Sequence, residues 1–573
     1  MNVPRFIAFI GRSATGPEGA TLEGFRPVEN FSAGNLFVDD CEAITACPDA
    51  NGCRFYIWPF GDAPSDSSAR TRDPLLSNDP LAICIEIACK GSRVAISRAR
   101  SGMMPCLFIR QNDAIVVASD ISCLIDARLI TPKPDPEVVA DHLMFPGNSG
   151  RATAVRDVFE IFPGETLIFN GGEHQILQDW VPMDSMAHPI VDLDAGVSAI
   201  RHSIESVFEQ LESRVGSVLV TTSGGLDSSI VGALCAKHFQ SVRFVTFFTR
   251  DPLGDERAYA RCLAKHCDVE LIEIDISDYR NDVRISAGSH LPRPWTRASG
   301  KSKSDTLLEI AARHRADAIF NGFGGDSIFC FMHSSTPLLD RLYSGFEPAG
   351  FRDTTRAIMQ MTGCSAPRLL SHAAHALSRH IRNRGRYNWT AQPRFLSDEI
   401  TSLRKPKYPH PWLAETVSWN LSHLSRTAML TRAHQSLDRS QQGSGCPHVS
   451  PLLAGPVLDA CLAVPSWHWC HGGINRAVAR MAFASILPDT ILLRAEKGSP
   501  VAAYARTYTD NRANLTDFLV DGFLAASHIV NSEEIAKFLR NSDPMRNIDF
   551  LRILELADVE SWCRQILSVA GSY

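Results

Sequence analysis

Ser223-Gly224-Gly225-Leu226-Asp227-Ser228-Ser229 gathers two adjacent glycines, three hydroxyls and one carboxylate within a single short stretch. Adjacent glycines let backbone N–H groups come close to a phosphate, a helix N-terminus favours its negative charge, and serines add donors. Asp227 would repel a bare anion, and it makes sense where it holds Mg²⁺ between itself and phosphate oxygens. The plain alternative is a strand-to-helix turn, with glycine for geometry and Asp or Ser as caps. The flanks favour a phosphate loop. Ser217-Val218-Leu219-Val220 reads as an apolar strand and Ile230-Val231 continues a helix, so strand, glycine turn and helix N-terminus follow in order.

A second acidic glycine turn, Asn321-Gly322-Phe323-Gly324-Gly325-Asp326, follows the strand-like Ala318-Ile319-Phe320. If both strands lie in one parallel sheet, Asp326 can offer another oxygen to the metal held by Asp227. Asp255-Glu256-Arg257 opens a helix between the two turns, where its carboxylates suit the first turn. Far downstream lies Arg494-Ala495-Glu496-Lys497-Gly498. A lone lysine is ordinarily a solvated cation, but one reaching a phosphate site would neutralise charge as pyrophosphate departs or an amine attacks. Residue types alone leave both readings of Lys497 open. Gly300-Lys301-Ser302 is a decoy: Trp295 stands where a phosphate loop of that kind needs its first glycine, so the segment reads as a loop.

These residues need a large scaffold. At 573 residues the chain exceeds one core, and its 45% apolar and 21% charged residues are those of an ordinary globular protein. Short β-rich runs from about Ile83 to Phe169 predict a sheet-rich first domain. A boundary is expected near residue 185, followed by an amphipathic helix carrying Val197, Ile200, Ile204, Val207 and Leu211. Strands Ser217–Thr221, Val242–Phe248, Val269–Ile274 and Ala318–Asn321 alternate with helices Ser228–His238, Glu256–His266 and Asp305–Arg315, which predicts an α/β unit with a covered parallel sheet. Beyond Phe329 the pattern is helical.

A net charge of −6 offers no general attraction to nucleic acid or anionic lipid, and no apolar run reaches the length of a membrane span. No export signal is evident after Met1, so a cytoplasmic enzyme with reduced cysteines is expected. Cys41, Cys47 and Cys53 recur at six-residue steps, a spacing unlike that of common zinc knuckles.

From about residue 90 to 500 the chain resembles the asparagine synthetase superfamily. The Ser223 loop resembles the pyrophosphate loop of ATP pyrophosphatases, which split ATP between its α- and β-phosphates and transfer AMP. Ser97-Arg98-Ala99-Arg100-Ser101-Gly102-Met103-Met104-Pro105-Cys106-Leu107-Phe108, Ala118-Ser119-Asp120 and Phe162-Pro163-Gly164 resemble signatures of the family's first domain. Pro451-Leu452-Leu453 and Arg494 to Gly498 follow in family order. The resemblance implies an α/β protein with a glutaminase-like β-rich (αββα) domain over residues 1–185 that lacks its nucleophile. Residues 186–573 would form an ATP pyrophosphatase synthetase domain with a helical C-terminal region. It implies ATP and Mg²⁺ as cofactors, with Ser223, Gly224, Gly225, Asp227, Ser228 and Ser229 on the nucleotide, Asp227 and Asp326 on the metal, and Lys497 in the chemistry.

The departures narrow the function. Glutamine-dependent members need a cysteine directly after the initiator Met, and here Asn2 follows Met1, so glutamine is not expected to serve as nitrogen donor. Phe323 replaces an acidic residue of the family's synthetase turn, which argues against an aspartate-like substrate. Two branches without that cysteine form cyclic amides, the β-lactam synthetases and the macrolactam synthetases that close lasso peptides. The Gly-Gly-Asp turn, Gly472-Gly473 with Arg476-Ala477, and Lys497-Gly498 look most like lasso peptide cyclases. That branch implies adenylation of an Asp or Glu side chain in a precursor peptide, attack by the peptide's N-terminal amine, and leader-binding and protease partners. A small-molecule amide ligase and a non-catalytic scaffold are the alternatives; a scaffold would have no need of both Asp227 and Asp326. The loop His290-Leu291-Pro292-Arg293-Pro294-Trp295 and the helical third region are candidate walls of the peptide pocket, or ordinary core.

Overall fold

A computed structural model describes residues 5–11, 25–31, 34–38, 44–49, 52–57, 85–90, 93–252, 254–286, 288, 290–294, 300–331, 333–345, 347–437, 446–494, 498, 501–541 and 548–571. Its first part is built from strands β1 (Phe6–Ile10), β2 (Arg26–Phe31), β3 (Gly34–Val38), β4 (Ile44–Asp49), β5 (Gly52–Ile57), β6 (Ile85–Lys90), β7 (Arg93–Arg98), β8 (Leu107–Gln111), β9 (Ala114–Ala118), β10 (Phe159–Glu160), β11 (Glu165–Asn170) and β12 (Glu173–Gln178). They form two antiparallel six-stranded sheets, ordered β10-β8-β9-β1-β3-β2 and β12-β11-β7-β6-β5-β4. Side chains alternate between the faces of a strand. Phe6, Ala8 and Ile10 accordingly join Phe55, Ile57, Val94, Ile96, Leu167 and Phe169 in one core, while Ile7 and Phe9 belong to another. The second core receives helices Ile121–Asp126 and Pro136–Met144. The N-terminal region is therefore antiparallel and β-rich, and β1 to β5 add strands ahead of the runs legible from about Ile83.

The second part holds β13 (Ser217–Thr221), β14 (Ser241–Phe248), β15 (Glu270–Asp275), β16 (Ala318–Phe320) and β17 (His448–Val449), ordered β15-β14-β13-β16-β17. Every pairing in this sheet is parallel. Val218, Val220, Phe244 and Phe320 pack on one face beside Ile230, and Leu219, Val245 and Ile319 pack on the other beside Leu307 and Ile310. Burial on both faces explains why these strands read as continuous apolar runs. Strand order reverses between β13 and β16, and ligands bind in such sheets outside the carboxyl ends of the strands at that switch point.

β13 occupies the residues read for it, and neighbouring boundaries shift by one or two positions. Helix Lys301–Arg313 departs more, since Lys301 and Ser302 are helical rather than loop. Lys301 pairs with Asp305 at 2.9 Å one turn on, which supports a first turn that no Ser or Asp cap announces. Beyond β16 the chain is mostly helical, ending in Val501–Val520, Phe523–Ala526, Ser532–Arg540 and Asp549–Gly571. Among the described residues no helix is long and apolar enough to cross a membrane, and no group of three or more His, Cys, Asp or Glu could hold a metal. Described cysteines are free and mostly buried. Cys41 and the side chains of Cys47 and Cys53 lie outside what is described.

Candidate functional site

The glycine loop leaves the carboxyl end of β13 and enters helix Leu226–His238 with Gly225 as its N-cap. No side chain caps that helix, so its first-turn N–H groups remain for a ligand. Gly224 has φ +65°, and a Cβ there would strike Tyr259, so a larger residue would both strain and displace the loop. The hydroxyls hold the turn from within. Ser223 N–H donates to Ser228 Oγ at 3.3 Å, Gly225 N–H donates to Ser223 Oγ at 3.3 Å, and Ser228 Oγ donates to the Gly225 carbonyl at 3.2 Å. Ser223 and Ser228 are partly exposed, whereas Ser229 is buried.

The second turn packs directly on the first. A Cβ at Gly322 would collide with the backbone of Asp227 and Ser228, and one at Gly325 with the Asp227 side chain, so this approach requires glycine. It sets Asp326, in the short helix Gly325–Ile328, beside Asp227. A single nitrogen links them: Arg476 Nη1 donates to Asp227 Oδ1 at 2.8 Å, Asp227 Oδ2 at 3.0 Å and Asp326 Oδ1 at 3.1 Å. Side-chain exposures are 13% for Asp227, 40% for Asp326 and 11% for Arg476. Oxygens of two carboxylates thus converge on one cation-sized point, and such hard oxygen donors fit Mg²⁺.

Arg476 belongs to the segment noted for Gly472-Gly473, but its partnership with the two aspartates was not legible. Nothing local separates it from a solvated arginine. Its neighbour Arg480 donates to the carbonyls of Asn475 at 2.8 Å, Leu492 and Arg494 at 2.9 Å, tying this segment to the approach of the C-terminal stretch. Burial, and then the charge of Arg476, draw the Arg480 guanidinium down to about 10.

Glu256 does more than charge a first turn. It accepts from the Arg494 guanidinium and from Gly498 N–H at 3.1 Å. Arg494 also donates to the Ser223 carbonyl at 3.3 Å and stacks over Tyr259 at 4.0 Å. Asp255 instead pairs with Arg257 at 2.7 Å. Both flanks of 495–497 are therefore fastened to the phosphate loop and its next helix. Lys497 itself lies outside the described residues.

Part of the Pro-rich loop lines a cavity of about 330 Å³ between the first sheet and the helical region. Leu291, Pro292, Arg293 and Pro294 face it together with Arg98, Glu160, His410 and His434. Arg98 Nη1 lies 2.7 Å from Glu160, which also accepts from Arg293. Burial alone would raise the Glu160 carboxyl; Arg293 and Arg98 outweigh it and hold the group at about 2. Ser327 Oγ donates to the Met429 carbonyl at 3.2 Å, so helix Leu421–Leu437, whose far end lines the cavity, also touches the Asp326 turn. Trp295 lies outside the described residues.

A glycine loop at the switch point of a parallel sheet, faced by a second acidic turn, defines the ATP-pyrophosphatase class of α/β proteins. Residues 201–564 match the family model for asparagine synthase, more than half of the chain, and the chain belongs to that family. Its members are ATP-dependent amide ligases that form AMP and pyrophosphate. No curated protein matches this chain. Among solved structures, the NH3-dependent NAD synthetase from Campylobacter jejuni is 15% identical, with 25% of this chain and 62% of that chain covered and a TM-score of 0.18. The U34-tRNA thiolase NcsA from Methanococcus maripaludis is 12% identical over 44% of this chain and 79% of that chain, TM-score 0.19. The glutamine phosphoribosylpyrophosphate amidotransferase from B. subtilis is 11% identical over 55% and 90%, TM-score 0.20.

Proposed function

We propose that this chain closes a macrolactam in a precursor peptide, adenylating an Asp or Glu side chain and then passing the acyl group to the peptide's own N-terminal amine. The observation that carries the ATP-dependent half is the convergence of Asp227 and Asp326 beside an uncapped helix N-terminus that follows the glycine loop. The peptide half rests on the likeness to lasso cyclases and on the cavity lined by the Pro-rich loop. In this reading residues 1–185 form a degenerate glutaminase-like domain and residues 186–573 the ligase.

Ser223, Gly224, Gly225, Asp227, Ser228 and Ser229 make up the nucleotide loop, with backbone N–H groups oriented on the phosphates. Asp227 and Asp326 would hold Mg²⁺, which would supply positive charge to the polyphosphate and the departing pyrophosphate. The peptide carboxylate attacks the α-phosphorus and pyrophosphate leaves, giving an acyl-adenylate. The amine then attacks the acyl carbon, loses a proton and expels AMP, so one water is lost overall from the peptide. Lys497, between Arg494 and Gly498, which both bond Glu256, supplies positive charge to both steps. A flexible peptide must be held with its amine near the acyl carbon, and the cavity offsets that entropy cost by binding it. Leader-binding and protease proteins are its proposed partners. The test is to incubate the protein with ATP, Mg²⁺ and the peptide encoded beside its gene and weigh the product. Loss of one water with AMP release is expected, and ADP as the primary nucleotide product would refute the reading.

A further inference from the structure

We infer that Arg476 is a built-in counter-ion that occupies the cation position between Asp227 and Asp326 until a metal–nucleotide complex replaces it, so that the divalent ion enters with the nucleotide rather than ahead of it. The inference rests on the metal site proposed above. Its basis is where the guanidinium sits: one nitrogen, Nη1, lies 2.8 and 3.0 Å from the two Asp227 oxygens and 3.1 Å from Asp326 Oδ1. These are the oxygens a shared metal would use, and a guanidinium and a divalent cation cannot hold one focus together.

Arg476 is delivered there by its backbone. Its φ of 57° and ψ of 37° are left-handed, a region that side-chain-bearing residues occupy sparsely and that persists where the surroundings impose it. Arg480 Nε fixes the preceding Asn475 carbonyl at 2.8 Å, and Asn475 Nδ2 meets His333 Nε2 at 2.8 Å. The guanidinium lies over the Phe331 ring at 5.0 Å, a flat surface along which it can slide without losing that contact.

The bridge is also not that of a saturated ion pair. Its three bonds all come from Nη1, and among the described residues the buried Nε has no hydrogen-bond partner, whereas a fork-to-fork pair would engage two nitrogens in parallel. Without nucleotide, a divalent ion must expel a buried cation from the two carboxylates it bridges, which burial penalises. With nucleotide, polyphosphate oxygens at the adjacent loop receive the displaced guanidinium, for which arginine geometry is suited. Metal and nucleotide binding are then coupled through one side chain, and the coupling is reciprocal.

The test follows Mn²⁺ uptake by loss of the free-ion electron paramagnetic resonance signal, using the full chain with and without α,β-methylene-ATP, an analogue that cannot be split at that bond. In the unsubstituted chain the analogue should tighten Mn²⁺ binding by at least about tenfold. Without it, Arg476→Gln should bind Mn²⁺ at least about tenfold more tightly than the unsubstituted chain, and Arg476→Lys should return binding to the weak level. Equal Mn²⁺ affinity with and without the analogue in the unsubstituted chain overturns the placeholder role, whether or not Arg476→Gln folds. Equal affinity of Arg476→Gln and the unsubstituted chain without the analogue overturns it as well. If neither takes up Mn²⁺ even with the analogue present, the metal reading of Asp227 and Asp326 fails first, and the inference falls with it.

Discussion

A carboxylate that serves a cation and one that serves the core respond differently to conversion into an amide. Asp227 and Asp326 share one arginine, so either variant leaves Arg476 the other partner. Asp227→Asn and Asp326→Asn should each abolish ATP–pyrophosphate exchange while leaving the unfolding transition near that of the parent. Normal turnover by either variant would remove that residue from the metal. Lys497 poses a sharper question because its flanks are tied down. In a site closed from water one ammonium aimed at developing negative charge lowers a barrier by about 3 to 4 kcal/mol, so Lys497→Ala should slow product formation on the order of a hundred- to a thousandfold without loss of ATP binding. A rate within about threefold of the parent would place Lys497 outside the chemistry.

At the scale of elements, helix Arg257–Cys267 carries at its N-cap the carboxylate that fastens the C-terminal stretch to the phosphate loop. Glu256→Ala should slow adenylation about ten- to a hundredfold, the kinetic equivalent of about 1.4 to 2.7 kcal/mol. Arg494→Ala should do the same. Because the two act on one tether, the double variant should be little worse than either alone, and fully additive losses would show that they act separately. Elements of this kind mark the limit of what the sequence reveals. β13 is legible to the residue, since an apolar run bounded by glycine on its loop side has few other uses. Helix Leu193–Glu212 buries Ile200, Ile204, Val207 and Leu211 as its periodicity implies. The first turn of helix Lys301–Arg313 is missed for want of a side-chain cap, and β17 because two residues carry no period. Arg476 lies 249 positions from Asp227 and Glu256 lies 238 from Arg494. Charge pairs at such separations leave no local signal, so the glycine loop and both acidic turns can be read in advance while the cations that complete them cannot.

Across the whole molecule, the helical region seals charged and polar groups against the first domain, and Arg98, Glu160 and Arg293 form a buried ion pair network there. His410 and His434 line the cavity in this region, while His423 lies beside Arg426 on helix Leu421–Leu437 and His448 lies on β17. Burial pushes His410 and His434 down to about 3 and His423 and His448 to about 4, well under the ordinary value near 6.5. A folded value below the unfolded one means that the unfolded chain binds more protons throughout the window between them. Stability therefore rises with pH across that window and is lost as pH falls below about 6.5. At about pH 5.5 each folded histidine is still neutral while its unfolded counterpart is charged, which costs about 1.4 kcal/mol per residue and about 5 to 6 kcal/mol for the four relative to about pH 7.5. The size depends on the unfolded value alone, provided that the folded values stay well below 5.5. Glu160 acts in a separate window: its depressed carboxyl contributes stability above about 4.5 that is lost as pH falls towards 2, so it does not contaminate the comparison. Urea unfolding at about pH 7.5 and about pH 5.5 should show the loss, and His434→Gln should reduce the difference by about 1.4 kcal/mol even if it lowers stability at both. Equal stability at the two values would mean that water reaches these imidazoles in the folded protein, including His410 and His434 in the cavity between the first domain and the helical region.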